Sequence, residues 1–367
     1  DPFKDLLWVL SGDETAILQA EHLVKKFPKK YKGSLYINTV ESDLNAAASA
    51  KKMGLKSELT AVGDKWILLK IILKQLEQES KCLDLSRSKR QAFFRESRKL
   101  KKTGISSIAS LQELRKIIGE VNEAEKKKDT KSILAVGGEE TGHNITESKF
   151  TFINGKTGSI FSGNGLKSAL NTLVATEHLF LSPKKYYSKV SRPFKPGFKA
   201  TLYVYYIKQE LFFKGSAVWK KVKQTLIRAA KKRQYRMVTR VFPEDSDMLY
   251  IELSGGSASV FVRNSGTENK ISVNLRGSKP EAPNLMEMGQ EAIKVLFTTL
   301  KNYEHHFYKL ELHALSQIAS KNLKEKDLKI EKHSKTRLVN EMQKQGIIEL
   351  SSKGYRLTAL GKWYMEN

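Results

Sequence analysis

Between residues 34 and 77 the chain alternates twice between a short apolar run and a helical pattern. Residues 35–40 (LYINTV) have strand character. Asp43 opens a helix whose Ala46, Ala47, Ala48 and Ala50 give it a small-residue face. Residues 59–62 read as a second strand and residues 66–76 as a strongly apolar helix. Strands that alternate with helices predict a parallel sheet covered on both faces.

The same α/β character returns over residues 133–182. A strand at 133–136 is followed by a glycine-rich loop, a strand near 150–153 and a helix over 166–179. Between the two blocks, residues 78–130 hold a dense set of Lys and Arg and a helix from Leu111 with apolar residues at helical spacing, which reads as a basic helical insertion. Pro183, Pro193 and Pro196 among lysines mark 182–198 as a linker and the best domain boundary. Residues 199–302 read as α+β, with strands near 202–206, 248–253, 259–262 and 271–275 and helices near 218–231 and 286–301. Residues 303–367 give two helices (306–320 and 334–345), then an apolar run, a turn at 351–354 and a second short strand, the outline of a winged helix. The expected fold is an α/β domain over 34–182, a smaller α+β domain over 199–302 and a C-terminal winged helix over 303–367, preceded at 1–33 by the remnant of another domain and a connecting helix.

The chain has 367 residues and a formal net charge of +26, a field that attracts polyanions such as nucleic acid or phosphorylated ligands. A lysine-rich solvated surface gives the same total. The single cysteine, Cys82, excludes an internal disulfide framework and fits a reducing intracellular compartment such as the cytoplasm. No stretch is long and apolar enough to span a bilayer. The chain starts at Asp1 without Met, so it is expected to be a fragment.

Two loops carry chemistry. In Gly137-Gly138-Glu139-Glu140-Thr141-Gly142-His143 the glycines allow a sharp turn and close backbone approach. Glu139 and Thr141 alternate and so share a side, where a carboxylate and a hydroxyl suit vicinal sugar hydroxyls. A solvated glycine turn is the plainer reading. In Arg263-Asn264-Ser265-Gly266-Thr267-Glu268, directly after an apolar strand, backbone N–H groups, two hydroxyls and a guanidinium suit phosphate oxygens. Its plainer reading is a polar β-turn.

Together these loops resemble the α-D-phosphohexomutase superfamily, which includes phosphoglucomutases and phosphomannomutases. Residues 137–143 look like its GGExSGH sugar-binding loop, with Thr141 in place of serine, and the resemblance implies sugar contacts by Glu139, Thr141 and His143. Residues 263–270 (RNSGTENK) look like its RPSGTEPK loop, which implies phosphate contacts by Arg263, Asn264, Ser265, Gly266 and Thr267. Residues 62–67 (VGDKWI) are similar to VGFKYI, with Asp64 at the usual aromatic. Asn164-Gly165 followed by Ala169-Leu170 resembles DGI..AL. These ordered matches lie within residues 1–302. The insertion and the tail fall outside them.

In the family a serine carries a phosphoryl group and a DxDxDR loop holds Mg²⁺, whose preference is for hard oxygen ligands. Asp1-Pro2 resembles the start of that loop, but Phe3-Lys4-Asp5-Leu6 follows, and no serine lies in a TASHNP-like context. No catalytic residue and no metal ligand is therefore expected. Mg²⁺ enters only if an upstream segment or a partner supplies an intact loop. The tail resembles winged-helix DNA-binding domains through Tyr355-Arg356-Leu357-Thr358 and Gly361. Lys335, Arg337, Asn340 and Lys344 on its second helix, with Lys353 and Arg356 on the wing, are candidates for nucleic acid. Protein docking is the alternative for such a tail. The leading expectation is a degenerate phosphohexomutase-like protein, inactive alone, that binds nucleic acid or docks in a larger complex. The alternatives are an active mutase completed by further domains or a second chain, and a purely structural subunit. A sugar phosphate and a protein partner remain open as ligands, and the sugar is not specified.

Overall fold

The computed structural model describes residues 5–82, 86–103, 108–119, 132–151, 153, 155 and 157–367, and they form two compact units. The first comprises residues up to Pro196 together with Phe242–Asp245. The second comprises Gly197–Val241 and Ser246–Asn367. The division falls inside the segment expected to be a linker. That segment is not all linker: Pro183 begins α8 (Pro183–Val190), where a proline at the first turn has no helical N–H to lose.

In the first unit, α1 (Gly12–Lys26) and α2 (Pro28–Tyr31) precede β1 (Leu35–Thr39), α3 (Leu44–Lys52), β2 (Lys56–Thr60) and α4 (Asp64–Cys82). Then come α5 (Arg87–Thr103), α6 (Ile108–Gly119), β3 (Leu134–Gly138), β4 (Ile145–Thr151), β5 (Thr157–Gly163) and α7 (Gly165–Thr176). The sheet order is β2-β1-β3-β4-β5. β2, β1 and β3 are parallel, while β3-β4-β5 continue antiparallel, so the expected parallel sheet is mixed. All five residues of β1 are buried, and its period of two serves two cores. Tyr36 packs with Ala16, Ile17 and Ala20 of α1 on one side, and Leu35 and Ile37 pack with Ile67 and Ile71 of α4 on the other.

Three sequence readings are corrected. The second strand covers Lys56–Thr60 rather than 59–62. It is the edge of the sheet, so Glu58 stays half-exposed and pairs with Lys70 at 3.1 Å. The strand near 150–153 is the end of β4, whose hairpin partner β5 is rich in Thr, Ser and Gly and carried little apolar signal. The basic insertion is helical but begins inside α4: Leu73 and Leu76 pack with Phe93, Leu100 and Leu114 of α5 and α6. The Lys126-Lys127-Lys128 run lies outside the described residues.

In the second unit, β6 (Phe198–Tyr205), β7 (Met237–Arg240), β8 (Leu249–Leu253), β9 (Ala258–Asn264) and β10 (Lys270–Gly277) form an antiparallel sheet in the order β6-β10-β9-β8-β7. Helices α9 (Ala217–Lys232) and α10 (Ala282–Leu300) are amphipathic, and Val222, Leu226, Met288 and Leu296 enter its core. The tail supplies α11 (His306–Ser320), α12 (Lys332–Gln345), the hairpin β11 (Ile348–Ser351) and β12 (Gly354–Leu357), and α13 (Ala359–Glu366). Leu323 adds a bridge to Tyr355 at the hairpin edge. Residues 303–367 share one continuous hydrophobic core with the sheet. Phe297 of α10 packs at a tilt against Tyr364 of α13, with 3.6 Å between ring centroids, and α12 packs against β6.

At the centre of the tail, the fully buried Glu311 carboxylate accepts hydrogen bonds from Gln345 and Tyr364, tying α11 to α12 and α13. Burial pushes this carboxyl from the usual 4.5 up to about 7. The folded chain keeps a proton that the unfolded chain releases near pH 4.5. Glu311 is therefore expected to favour the fold below that pH, and this contribution falls by up to about 3 kcal/mol as pH rises toward 7. Denaturant unfolding at pH 5 and pH 8 measures the slope, which Glu311→Gln should flatten. An unchanged slope in the variant places its origin elsewhere.

Candidate functional site

The N-terminus of α1 holds the glycine-rich loop in place. Ser11 and Glu14 form a reciprocal capping box, with the Ser11 N–H donating to Glu14 Oε2 at 2.7 Å and the Glu14 N–H donating to Ser11 Oγ at 3.4 Å. Gly12 then donates its N–H to the Glu140 carbonyl at 2.9 Å. A Cβ on Gly12 would lie 1.7 Å from the Glu139 carbonyl oxygen, so only glycine allows this approach. Within the loop, Gly142, at φ +96°, donates to the Glu139 carbonyl at 3.1 Å. Asn144, buried behind the loop, reaches Thr15 Oγ1 of α1 at 2.9 Å. Residues 11–14, expected to be a remnant of another domain, thus form the support of the loop.

The loop presents its side chains as the spacing predicts. Thr141 is exposed, and its hydroxyl donates to Glu139 Oε2 at 3.4 Å. His143 is exposed, with Nδ1 3.8 Å from Asp64 Oδ2. Asp64, the first residue of α4, joins Glu139 and His143 in a set whose ligand atoms all lie within 4.8 Å of one another. Sequence reasoning passed over Asp64. Its one signal was a carboxylate where the resembling segment has an aromatic. Burial and the neighbouring Asp64 carboxylate raise the pKa of Glu139. Two carboxylates, a hydroxyl and an imidazole thus lie close together, with Thr141 and His143 exposed.

These residues do not fit Mg²⁺. Of the segment resembling the acidic metal loop, Asp5 alone among the acids is described, and it is exposed. The Asp64–Glu139–His143 set includes an imidazole, whereas Mg²⁺ is held by oxygens. That set is closer to the mixed nitrogen and oxygen ligands of zinc.

In the second unit the candidate phosphate loop is the β9–β10 turn. Ser265 N–H donates to the Lys270 carbonyl at 3.0 Å, and Ser265 Oγ accepts from the N–H groups of Thr267 at 3.3 Å and Glu268 at 3.2 Å. The backbone donors expected for phosphate thus face the Ser265 hydroxyl. Asn264 turns its amide to the Phe212 carbonyl at 2.8 Å and anchors the loop. Gly266 and Thr267 are exposed, and Arg263 is half-buried at the end of β9. The Lys270 ammonium contacts the Glu268 carboxylate and holds it below the usual carboxylate range, and the charges of Lys344 and Arg337 add to that effect. Helix α12 therefore bears on the same turn.

The tail cations are unequally available. Arg337 pairs with Glu341 at 3.0 Å and lies over the Phe307 ring at 4.8 Å. Arg356 pairs with Glu349 across the hairpin at 2.8 Å. Lys335 donates to the Lys326 carbonyl at 3.3 Å. Asn340, Lys344 and Lys353 are exposed. The residues gathered as a nucleic-acid surface thus divide among ion pairs, a backbone contact and open solvent. No described helix is long and apolar enough to cross a membrane.

Gly12→Ala is expected to cost about 3 kcal/mol, because the Glu139 backbone must move to admit the methyl group. Thermal or denaturant unfolding of the variant measures this. A loss under about 0.5 kcal/mol, typical of an unconstrained surface site, contradicts the close approach.

Residues 11–77 match the family described as phosphoglucomutase/phosphomannomutase, α/β/α domain III. No curated protein matches the chain. Among solved structures it is similar to a phosphoglucomutase/phosphomannomutase family protein from Burkholderia thailandensis (14% identity, TM-score 0.39, covering 79% of this chain and 42% of that one). It is also similar to an apo N-acetylglucosamine-phosphate mutase (12%, 0.34, 78% and 43%) and to a phosphomannomutase-like protein from Thermus thermophilus (12%, 0.28, 76% and 40%). The chain spans less than half the length of each of these structures. Residues 11–77 thus carry the likeness to the α/β/α domain III of phosphoglucomutases and phosphomannomutases.

Proposed function

We propose that this chain is a sugar-phosphate-binding member of the family that does not turn substrate over alone and works within a larger assembly. One observation carries the reading: the α1 N-terminus pins the 137–143 loop, and the half-buried Glu139 carboxylate lies beside the exposed Thr141 and His143 and beside Asp64. A carboxylate and a hydroxyl fixed on one side recognise vicinal hydroxyls with little ordering cost. The 263–268 turn supplies the anion-binding chemistry of the same ligand class through Arg263 and Thr267. The reading of inactivity alone is motivated by the 367 residues holding no TASHNP-like serine and by the poor fit to Mg²⁺.

Titration with glucose 1-phosphate and mannose 1-phosphate, followed by calorimetry, tests this. Binding of at least one is expected, with Glu139→Gln weakening it about tenfold, as loss of a charged hydrogen-bond acceptor does. A coupled assay with Mg²⁺ and a sugar 1,6-bisphosphate should show no interconversion of 1- and 6-phosphates. Turnover near or above about 1 per second overturns the inactive reading, and indifference to Glu139→Gln overturns the sugar site.

A second reading, nucleic-acid binding, draws on α5. There Phe94 is 55% exposed among Arg95, Arg98 and Lys99, an aromatic between cations of the kind that stacks on bases. The tail, read as a winged helix, adds Asn340, Lys344 and Lys353. Affinity for duplex DNA is expected to fall by about 0.9 log units per phosphate contact per decade of salt. Charge reversal at Arg98 and Lys344 should remove it. Equal binding by that variant shows a diffuse surface charge instead.

A further inference from the structure

The first unit contains a second depression, made by residues that neither loop uses. It has a volume of about 860 Å³ and is lined by α1, by the end of α7 with the single 3₁₀ turn that follows, and by α8 with the residue beyond it. Leu18, Ala175 and Thr176 are buried in its wall, and Val174 and Leu179 add apolar surface. Around them stand five cationic side chains: Lys25, Lys26, Lys185, Lys189 and Arg192. Two imidazoles, His22 and His178, and two carboxylates, Glu21 and Glu177, complete the charged lining.

Local pairing does not absorb this charge. Glu21 takes Lys25 at 2.6 Å and Lys189 at 2.9 Å, and these ammonium groups hold its carboxyl below the usual range against its burial. Lys26 lies over the Phe27 ring at 5.8 Å. Lys185 and Arg192 have no ion-pair partner among the described residues. Helix dipoles account for part of the pattern, because Lys25 and Lys26 sit in the last turn of α1, where cations are favoured. They do not account for Lys185, which sits in the first turn of α8, where the dipole disfavours a cation. Burial and the Lys26 charge also lower the pKa of His22, so the field is felt within the wall.

We infer that this depression binds a small organic polyphosphate, with Lys185 and Arg192 meeting phosphate oxygens and the Leu18–Val174–Leu179 surface taking an apolar or aromatic group. Arg presents a planar fork to phosphate and Lys a point charge, and the two together suit a chain of phosphates. A concave site of this volume fits a drug-sized ligand, whereas a nucleic-acid duplex needs an open face that tracks its backbone. The site is independent of the sugar-phosphate reading, since no residue is shared with the 137–143 loop or the 263–268 turn.

The test uses the full chain and two probes of similar charge, Mg-free ATP and inorganic tripolyphosphate, titrated calorimetrically at physiological salt. ATP is expected to bind, with tripolyphosphate weaker by about tenfold because it leaves the apolar wall uncovered. Lys185→Ala combined with Arg192→Ala should weaken ATP by at least about tenfold. Circular dichroism should show the variant folded, and Arg263→Ala should leave ATP binding unchanged. If the double variant fails to fold, Lys185→Glu alone serves, since that side chain is exposed. No binding of ATP, equal affinity for the two probes, or an ATP affinity indifferent to these substitutions overturns the assignment. So does ATP binding that Arg263→Ala abolishes, because the ligand then sits at the other loop.

Discussion

The first unit depends on how closely the start of α1 approaches the 137–143 loop. A helix N-terminus has unsatisfied N–H groups, and the loop has carbonyls exposed by its tight turn. Joining them satisfies both, as in the Gly12 bond to the Glu140 carbonyl, but it requires a residue without a side chain. The capping box fixes where the helix begins, and Ala16, Ile17 and Ala20 fix its distance from the sheet through their contacts with Tyr36 and Val136. The loop is thus positioned by the core rather than by its own turn chemistry. The consequence is chemical: Glu139 is brought against Asp64 in a half-buried place where burial and the neighbouring carboxylate oppose its ionisation. A ligand that donates hydroxyl protons relieves that opposition.

The second unit solves a different problem. Its sheet has one edge at β6, and α12 packs against that strand. An uncovered edge invites pairing with other chains, so the tail protects the sheet as well as extending it. Its hairpin is joined to the segment that follows α11 by the Leu323–Tyr355 bridge, and Thr358 caps α13 through the Gly361 N–H. Gly361 is required there, because a Cβ would lie 1.9 Å from the Ile347 carbonyl oxygen. The same arrangement brings the charges of Lys344 and Arg337 to bear on Glu268. Cations that the sequence offers to nucleic acid therefore take part in the electrostatics of the β9–β10 turn.

Much of this was legible in the residues themselves. The apolar run at 35–40 placed β1, and α11 lies where its helical spacing put it. The two loops were visible because glycine, carboxylate and hydroxyl occur at spacings that only a turn brings together. β4 and β5 were less legible: they alternate Thr, Ser and Lys with few apolar residues, and their pairing rests on register that no local pattern encodes. The role of Asp64 was hidden because it lies 75 residues before Glu139 and only the fold joins them. Charge showed the same limit. Arg337 and Glu341 are an i, i+4 pair that helical spacing reveals, whereas Arg356 and Glu349 meet only once the hairpin register is set. The basic depression was not legible at all, since its cations come from two segments over 150 residues apart.

The central claim is that α1 holds the 137–143 loop in place, with Glu139 beside Asp64, before any ligand arrives. Amide hydrogen exchange at Gly12 reports on this most directly, because that N–H is the bond between helix and loop. The account predicts protection at Gly12 comparable to that of Ile17 in the interior of the same helix, in the absence of ligand. Exchange at Gly12 as fast as at an exposed loop amide, with Ile17 still protected, would contradict it.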